Sequence, residues 1–119
     1  MAMIVSDTSP LRAMANLQRL DLPALLFGEV FVPPAVAMEL ANPPKGQTPI
    51  DVSRVVGVRL ASPIDTNRIS TLREILHSGE SEAIALALEL GDATLLVDDA
   101  DARIVAKRLT ARGESPLST

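Results

Sequence analysis

Residues 94–103, TLLVDDADAR, set three carboxylates, Asp98, Asp99 and Asp101, directly behind an apolar run. Single acids stand at equally pointed places elsewhere. Asp7 follows the apolar residues 3–5 and Ser6, Glu39 lies inside a short helical pattern, and Glu82 opens a long apolar one. A surface loop holds such charges at little cost, whereas carboxylates gathered in one cleft repel each other. At ~4 Å and an effective dielectric of ~20, each like-charged pair costs roughly 4 kcal/mol. A divalent cation removes that cost. The chain has no cysteine, and His77 is its single histidine. Disulfides and thiolate sites are thereby excluded, and an imidazole zinc site or a serine–histidine triad within one chain is disfavoured. Oxygen-only ligands point to Mg²⁺ or Mn²⁺. An ion held this way can activate water and offset the charge that builds on a phosphate during displacement.

The elements that must position these acids alternate between strand and helix. Residues 3–6 form a short apolar strand ending at Asp7, and Ser9-Pro10 then opens a helix carrying Leu11, Met14 and Leu17. Residues 22–27 suit a second short helix closed by Gly28. A strand over 29–32 is stopped by Pro33-Pro34, which starts a helix to about residue 41 with Val36 and Leu40 on one face. A loop from Asn42 follows, then a strand around 58–60 and a helix within 66–76. The clearest element is the helix over 78–91, capped by Ser78 or Gly79 and ended by Gly91. Its middle is apolar all round, as in a helix buried in a core. A strand over 93–97 leads to the acids, and 102–109 is predicted helical. This alternation predicts a single α/β domain, a mostly parallel sheet flanked by helices. In such sheets ligands bind beyond the carboxyl ends of the strands. If the strands before Asp7 and Asp98 are neighbours, their acids converge at one edge, toward which Glu39 and Glu82 could also point.

Composition sets the bounds. The chain has 119 residues, which suits one domain, and 47 % hydrophobic with 22 % charged residues is a globular balance. Phe27 and Phe31 are the only aromatic residues, which argues against a base-stacking platform. The net charge of −4 gives no general attraction to nucleic acid. There is no apolar run of membrane-spanning length, no basic leader and no cleavage signal, so the expectation is a cytoplasmic protein without a membrane segment.

Four segments together resemble the ordered motifs of PIN-domain proteins, in particular the PIN-like branch related to VapC-type toxins. They are Asp7-Thr8-Ser9-Pro10-Leu11, Val32-Pro33-Pro34-Ala35-Val36 with Glu39-Leu40, Gly79-Glu80-Ser81-Glu82-Ala83-Ile84-Ala85, and Leu95-Leu96-Val97-Asp98-Asp99. The resemblance covers about residues 3–109. It implies an α/β/α sandwich and a Mg²⁺- or Mn²⁺-dependent ribonuclease, with Asp7, Glu39, Glu82 and Asp99 as the catalytic acids. Asp7, Glu82 and Asp99 would hold the metal, with Asp98 or Asp101 as the neighbouring acid. RNA as substrate, an antitoxin protein as partner and a homodimer follow from the same resemblance. One departure stands out. The family continues after the last helix into an edge strand and a terminal helix, whereas residues 110–119 here are polar and helix-breaking. An irregular tail is therefore expected from about 110, with the last edge strand lacking or its cover supplied by a partner chain.

Each acid also has an ordinary explanation. Asp7 can cap the first helix through an Asx turn, Glu39 can be a solvated helix residue, and Glu80 suits a helix N-terminus as well as a ligand role. A carboxylate at Glu82, among apolar neighbours, has less reason to be there without a site. One of Asp98 and Asp99 is expected to cap the next helix and the other to face the cleft. Glu89 reads as surface charge, His77 as an exposed residue before the cap, and Thr8 and Ser9 as backbone caps or donors to Asp7. Arg12, Arg19, Arg103, Lys107 and Arg108 could line a phosphate path, with scattered solvated charge as the simpler account. Two other function classes compete with the nuclease. A catalytically silent dimerisation or antitoxin-binding module would keep the fold alone. A phospho-acceptor receiver domain also uses an Asp pair after a strand, but places it behind its first strand.

Overall fold

The structure, a computed structural model, describes residues 3–91 and 93–97 together with the backbone of 117–118. Five strands form one parallel sheet: β1 (Met3–Ser6), β2 (Val30–Val32), β3 (Val58–Leu60), β4 (Ala93–Leu96) and β5 (Leu117–Ser118), in the order β3-β2-β1-β4-β5. The helices are α1 (Thr8–Asn16), α2 (Leu22–Phe27), α3 (Pro34–Ala41), α4 (Thr66–Arg73) and α5 (Ser78–Leu90), with a 3-10 turn at Val52–Arg54. The architecture is the expected parallel α/β sheet flanked by helices. No described helix is long and apolar enough to cross a membrane.

Two apolar layers hold the sheet. Val5, Leu95 and Val97 pack with Leu72, Leu76 and the apolar residues of α5. Residues 83–88 of α5 are all buried, as its all-round apolar pattern predicts. In the second cluster Val32 packs with Leu11 of α1, Val36 and Leu40 of α3, and Ile50 and Val55 beyond it. The Val36 and Leu40 pairing follows the i, i+4 geometry of one helix face.

The order of strands fixes where the site can be. The chain leaves β1 toward β2 on one side, while β4 pairs with β1 on the other. The carboxyl ends of β1 and β4 therefore flank the topological switch point, where open α/β sheets bind their ligands. The two strands are in register from Met3↔Ala93 to Ser6↔Leu96. The Asp7 N–H extends the ladder by donating to the Leu96 carbonyl at 3.0 Å.

Several local boundaries differ from the sequence expectation. Helix α4 ends at Arg73 rather than near 76, and Leu76 N–H still reaches back to Leu72 O at 2.8 Å before the backbone turns extended at His77. His77, rather than Ser78 or Gly79, is the N-cap of α5, because Ser78 and Gly79 are already helical. Helix α1 starts at Thr8, which puts Asp7 at its N-cap position. At the far edge, β5 pairs with β4 through Ala93↔Leu117 and Thr94↔Ser118. The chain thus adds a short strand at the edge expected to be bare. The helix expected over 102–109, with Arg103, Lys107 and Arg108, lies outside the described residues, as does the rest of the expected tail.

Candidate functional site

Asp7 sits at the carboxyl end of β1, 4 % exposed. It occupies the N-cap position of α1, yet its side chain makes no capping hydrogen bond. The Asx-turn explanation therefore fails. The carboxylate is buried beside the strand end that leads to Asp98.

Two glutamates flank that edge through a reciprocal arrangement. Helix α3 begins Pro33-Pro34, where Pro33 offers no side-chain acceptor and Pro34 carries no N–H, so the first unbonded amide is that of Ala35. Ala35 N–H donates to Glu82 Oε1 at 3.0 Å, from the first turns of α5. In return Gly79 N–H, in the first turn of α5, donates to Glu39 Oε1 of α3 at 3.1 Å. Each helix thus supplies the acid that caps the other. Glu39 Oε2 accepts a further hydrogen bond from the Thr8 hydroxyl at 2.6 Å, which ties both helices to the residue after Asp7. Gly79 makes this possible: a Cβ there would stand 2.8 Å from Glu39 Oε1.

Asp7, Glu39 and Glu82 accordingly belong to three elements joined at one end of the sheet. The two glutamates are not equivalent. Both oxygens of Glu39 are engaged, whereas only Oε1 of Glu82 is bonded among the described residues. Neither glutamate has a cationic partner among the described residues. No three His, Cys, Asp or Glu side chains among the described residues form a metal-ligating group. Asp98, Asp99 and Asp101 lie outside the described residues, past the end of β4. The donors in place, carboxylate oxygens held by neutral N–H and O–H groups, are of the hard kind that Mg²⁺ and Mn²⁺ take.

The remaining acids have structural roles. Glu80 reaches back to accept from His77 N–H at 3.1 Å, closing the first turn of α5, and is buried. Exposed Glu89 does more than decorate the surface: it accepts from Ile64 and Asp65 N–H at 2.8–2.9 Å and holds the entry to α4. Thr8, expected as a donor to Asp7, donates to Glu39 instead. Sequence reasoning missed the reciprocal capping, although Pro33-Pro34 announced an orphan amide and Gly79 a close approach.

Comparison with known proteins adds one finding. The family model DUF3368, described as a PIN domain, matches residues 3–112. Neither the curated proteins nor the solved structures contain a match. PIN domains are generally nucleases. The match takes in the motif residues, strands β1 to β4 and every described helix, and the chain belongs to the PIN-domain family.

Proposed function

We propose that this chain is a divalent-metal-dependent endoribonuclease, acting as the toxin of a toxin–antitoxin pair. The observation that carries the reading is the placement of Asp7, buried and not used as a helix cap, at the switch point with Glu39 and Glu82 drawn to the same end of the sheet. Asp7 and Glu82, with Asp98 and Asp99, would hold the ion, Mg²⁺ or Mn²⁺. When bound, that ion supplies a water of lowered pKa and positive charge against the phosphate. The protein's own part is positional. Glu39 fixes α3 against α5 and Thr8, so that the bonded Glu82 carboxylate is held in one orientation. RNA cleavage in Mn²⁺ tests the reading. The expected result is a fall of at least about 100-fold for Asp7→Asn and Glu82→Gln, as when a charge-stabilising group is removed from a transition state. Equal cleavage by all three proteins would overturn it.

One observation favours a second reading, a catalytically silent antitoxin-binding module. Glu39 and Glu82 already cap helices, and no described group of three acids is built for an ion. Calorimetry decides between the two: absence of Mn²⁺ binding together with a tight complex with a small partner protein selects the silent module.

A further inference from the structure

Next to the acidic edge lies a cleft of about 490 Å³ between α1, the end of α3 and the loop that follows it. Thr8 and Glu39 line it, so it shares Glu39 and its hydroxyl donor with the candidate site. Its polar lining also includes Ser9, one cation, Arg12, and three amides, Asn16, Asn42 and Gln47. Arg12 is half-buried and its guanidinium donates to the Thr48 carbonyl at 2.6 Å and, at 3.4 Å, to that of Leu40. These bonds aim the group and hold the loop, yet Arg12 forms no ion pair among the described residues. Two of the guanidinium's five N–H groups are used by these bonds, which leaves it able to take an anion.

The amides supply the complementary half. Asn42 Nδ2 donates to Met38 O at 3.0 Å, which pins that side chain, while the side chains of Asn16 and Gln47 make no hydrogen bond among the described residues. Uncharged amides carry both donors and acceptors, the chemistry that reads base edges. The cleft volume falls within the range of small-ligand sites, about 300–1,000 Å³. We propose that this cleft is a nucleotide subsite, where Arg12 contacts a phosphate and Asn16, Asn42 and Gln47 contact the base of the RNA residue beside the scissile bond. The assignment rests on the nuclease reading for what lies next door, and on its own residues for what it binds.

The test is an NMR titration of the metal-free full chain with the trinucleotides ApApA and CpCpC, with inorganic phosphate as a second probe. Saturable shifts of the Asn16, Asn42 and Gln47 side-chain amides are expected with RNA, and phosphate alone should leave those of Asn16 and Gln47 in place. Affinity should fall about tenfold in Arg12→Gln, as for loss of a charge-assisted phosphate contact. Arg12 also holds the loop, so Asn16→Ala and Gln47→Ala, which remove no internal bond, provide the second readout: each should alter the ratio of the two trinucleotide affinities. Unmoved amide signals at saturating RNA, affinities unchanged in all three variants, or phosphate reproducing every shift would overturn the subsite. A chain that cleaves RNA while those signals stay still retains the nuclease reading and loses this one. Shifts without any metal-dependent cleavage do the reverse.

Discussion

A Cβ on Gly79 would stand 2.8 Å from the Glu39 carboxylate, a side-chain end that can yield only by loosening its bonds to Gly79 and Thr8. The Gly79 backbone is ordinary α-helix, so alanine would otherwise be favoured there by up to ~1 kcal/mol. Overpacking costs about 1–3 kcal/mol, so Gly79→Ala should destabilise the wild-type chain by about 1–2 kcal/mol. In a Glu39→Ala background the same change should become neutral or favourable. Urea unfolding of the four proteins measures the sign reversal, and one sign in both backgrounds would disprove the contact. Glu82 offers a parallel case: Glu82→Ala removes the acceptor for the Ala35 amide and should cost about 1–2 kcal/mol, the range for loss of an N-cap. How far were these residues legible in the sequence? The place of Asp7 at a strand end was, because an acid directly after a buried strand is a local pattern. The bonding of Glu39 to Gly79 was not, since it spans forty positions and depends on how α3 crosses α5. Thr8 was misassigned for the same reason: its nearest acid in sequence is Asp7, but its partner lies on another helix.

Elements were more legible than contacts, because most of their signals are local. Pro33-Pro34, Gly28 and Gly91 mark ends that the structure keeps, with Gly91 in the left-handed region at φ 82°. Helix α1 ends differently. Gln18 takes the left-handed conformation at φ 58° just past the helix C-cap, Leu17, a conformation that costs a side-chain-bearing residue about 1–2 kcal/mol. Nothing in its type signals that role, and Gln18→Gly should stabilise the chain by about 0.5–1 kcal/mol after the added unfolded-state entropy. A thermal melt with lower stability in the variant would contradict this. The 3-10 turn after Ile50 makes a pH prediction. The Ser53 hydroxyl and N–H hold the Asp51 carboxyl below its ordinary range, with help from Arg54. A depressed folded-state pKa means that the stabilisation is present above the ordinary carboxylate range and is lost as the pH falls through the folded value. Acid titration of stability should therefore be shallower in Asp51→Asn than in wild type. Identical slopes would mean that this exposed cap contributes nothing. His77 as N-cap of α5 escaped the sequence because serine and glycine are the statistical favourites. Here Glu80 accepts from the N–H of His77 itself and Glu39 from that of Gly79.

At the scale of the whole molecule, strand order decides what the acids can do. Placing β1 between β2 and β4 brings Asp7 to the strand end that precedes Asp98 and Asp99, a neighbourhood that the alternation of strands and helices suggested but could not order. On the proposed reading, carboxylates gathered there work against folding unless an ion joins them, so binding the ion should appear as stability of the entire domain. A ligand at one hundred times its dissociation constant adds about 2.7 kcal/mol to a fold that alone binds it. For a chain of this length that amounts to a rise of about 10 °C in the melting temperature. Thermal melts of the wild type in EDTA and in Mn²⁺ should differ by about that amount. The three site variants then separate by role. Asp7→Asn and Glu82→Gln should lose most of the metal-induced rise, because each removes charge from the oxygens assigned to the ion. Glu39→Gln should melt lower in EDTA, through its weakened hold on Gly79 and Thr8, yet keep most of the rise, because both of its oxygens are already bonded to protein. A full metal-induced rise in Asp7→Asn would place the ion elsewhere. A lost rise in Glu39→Gln with unchanged stability in EDTA would make that glutamate a ligand and leave the joining of α3 to α5 without its assigned bond.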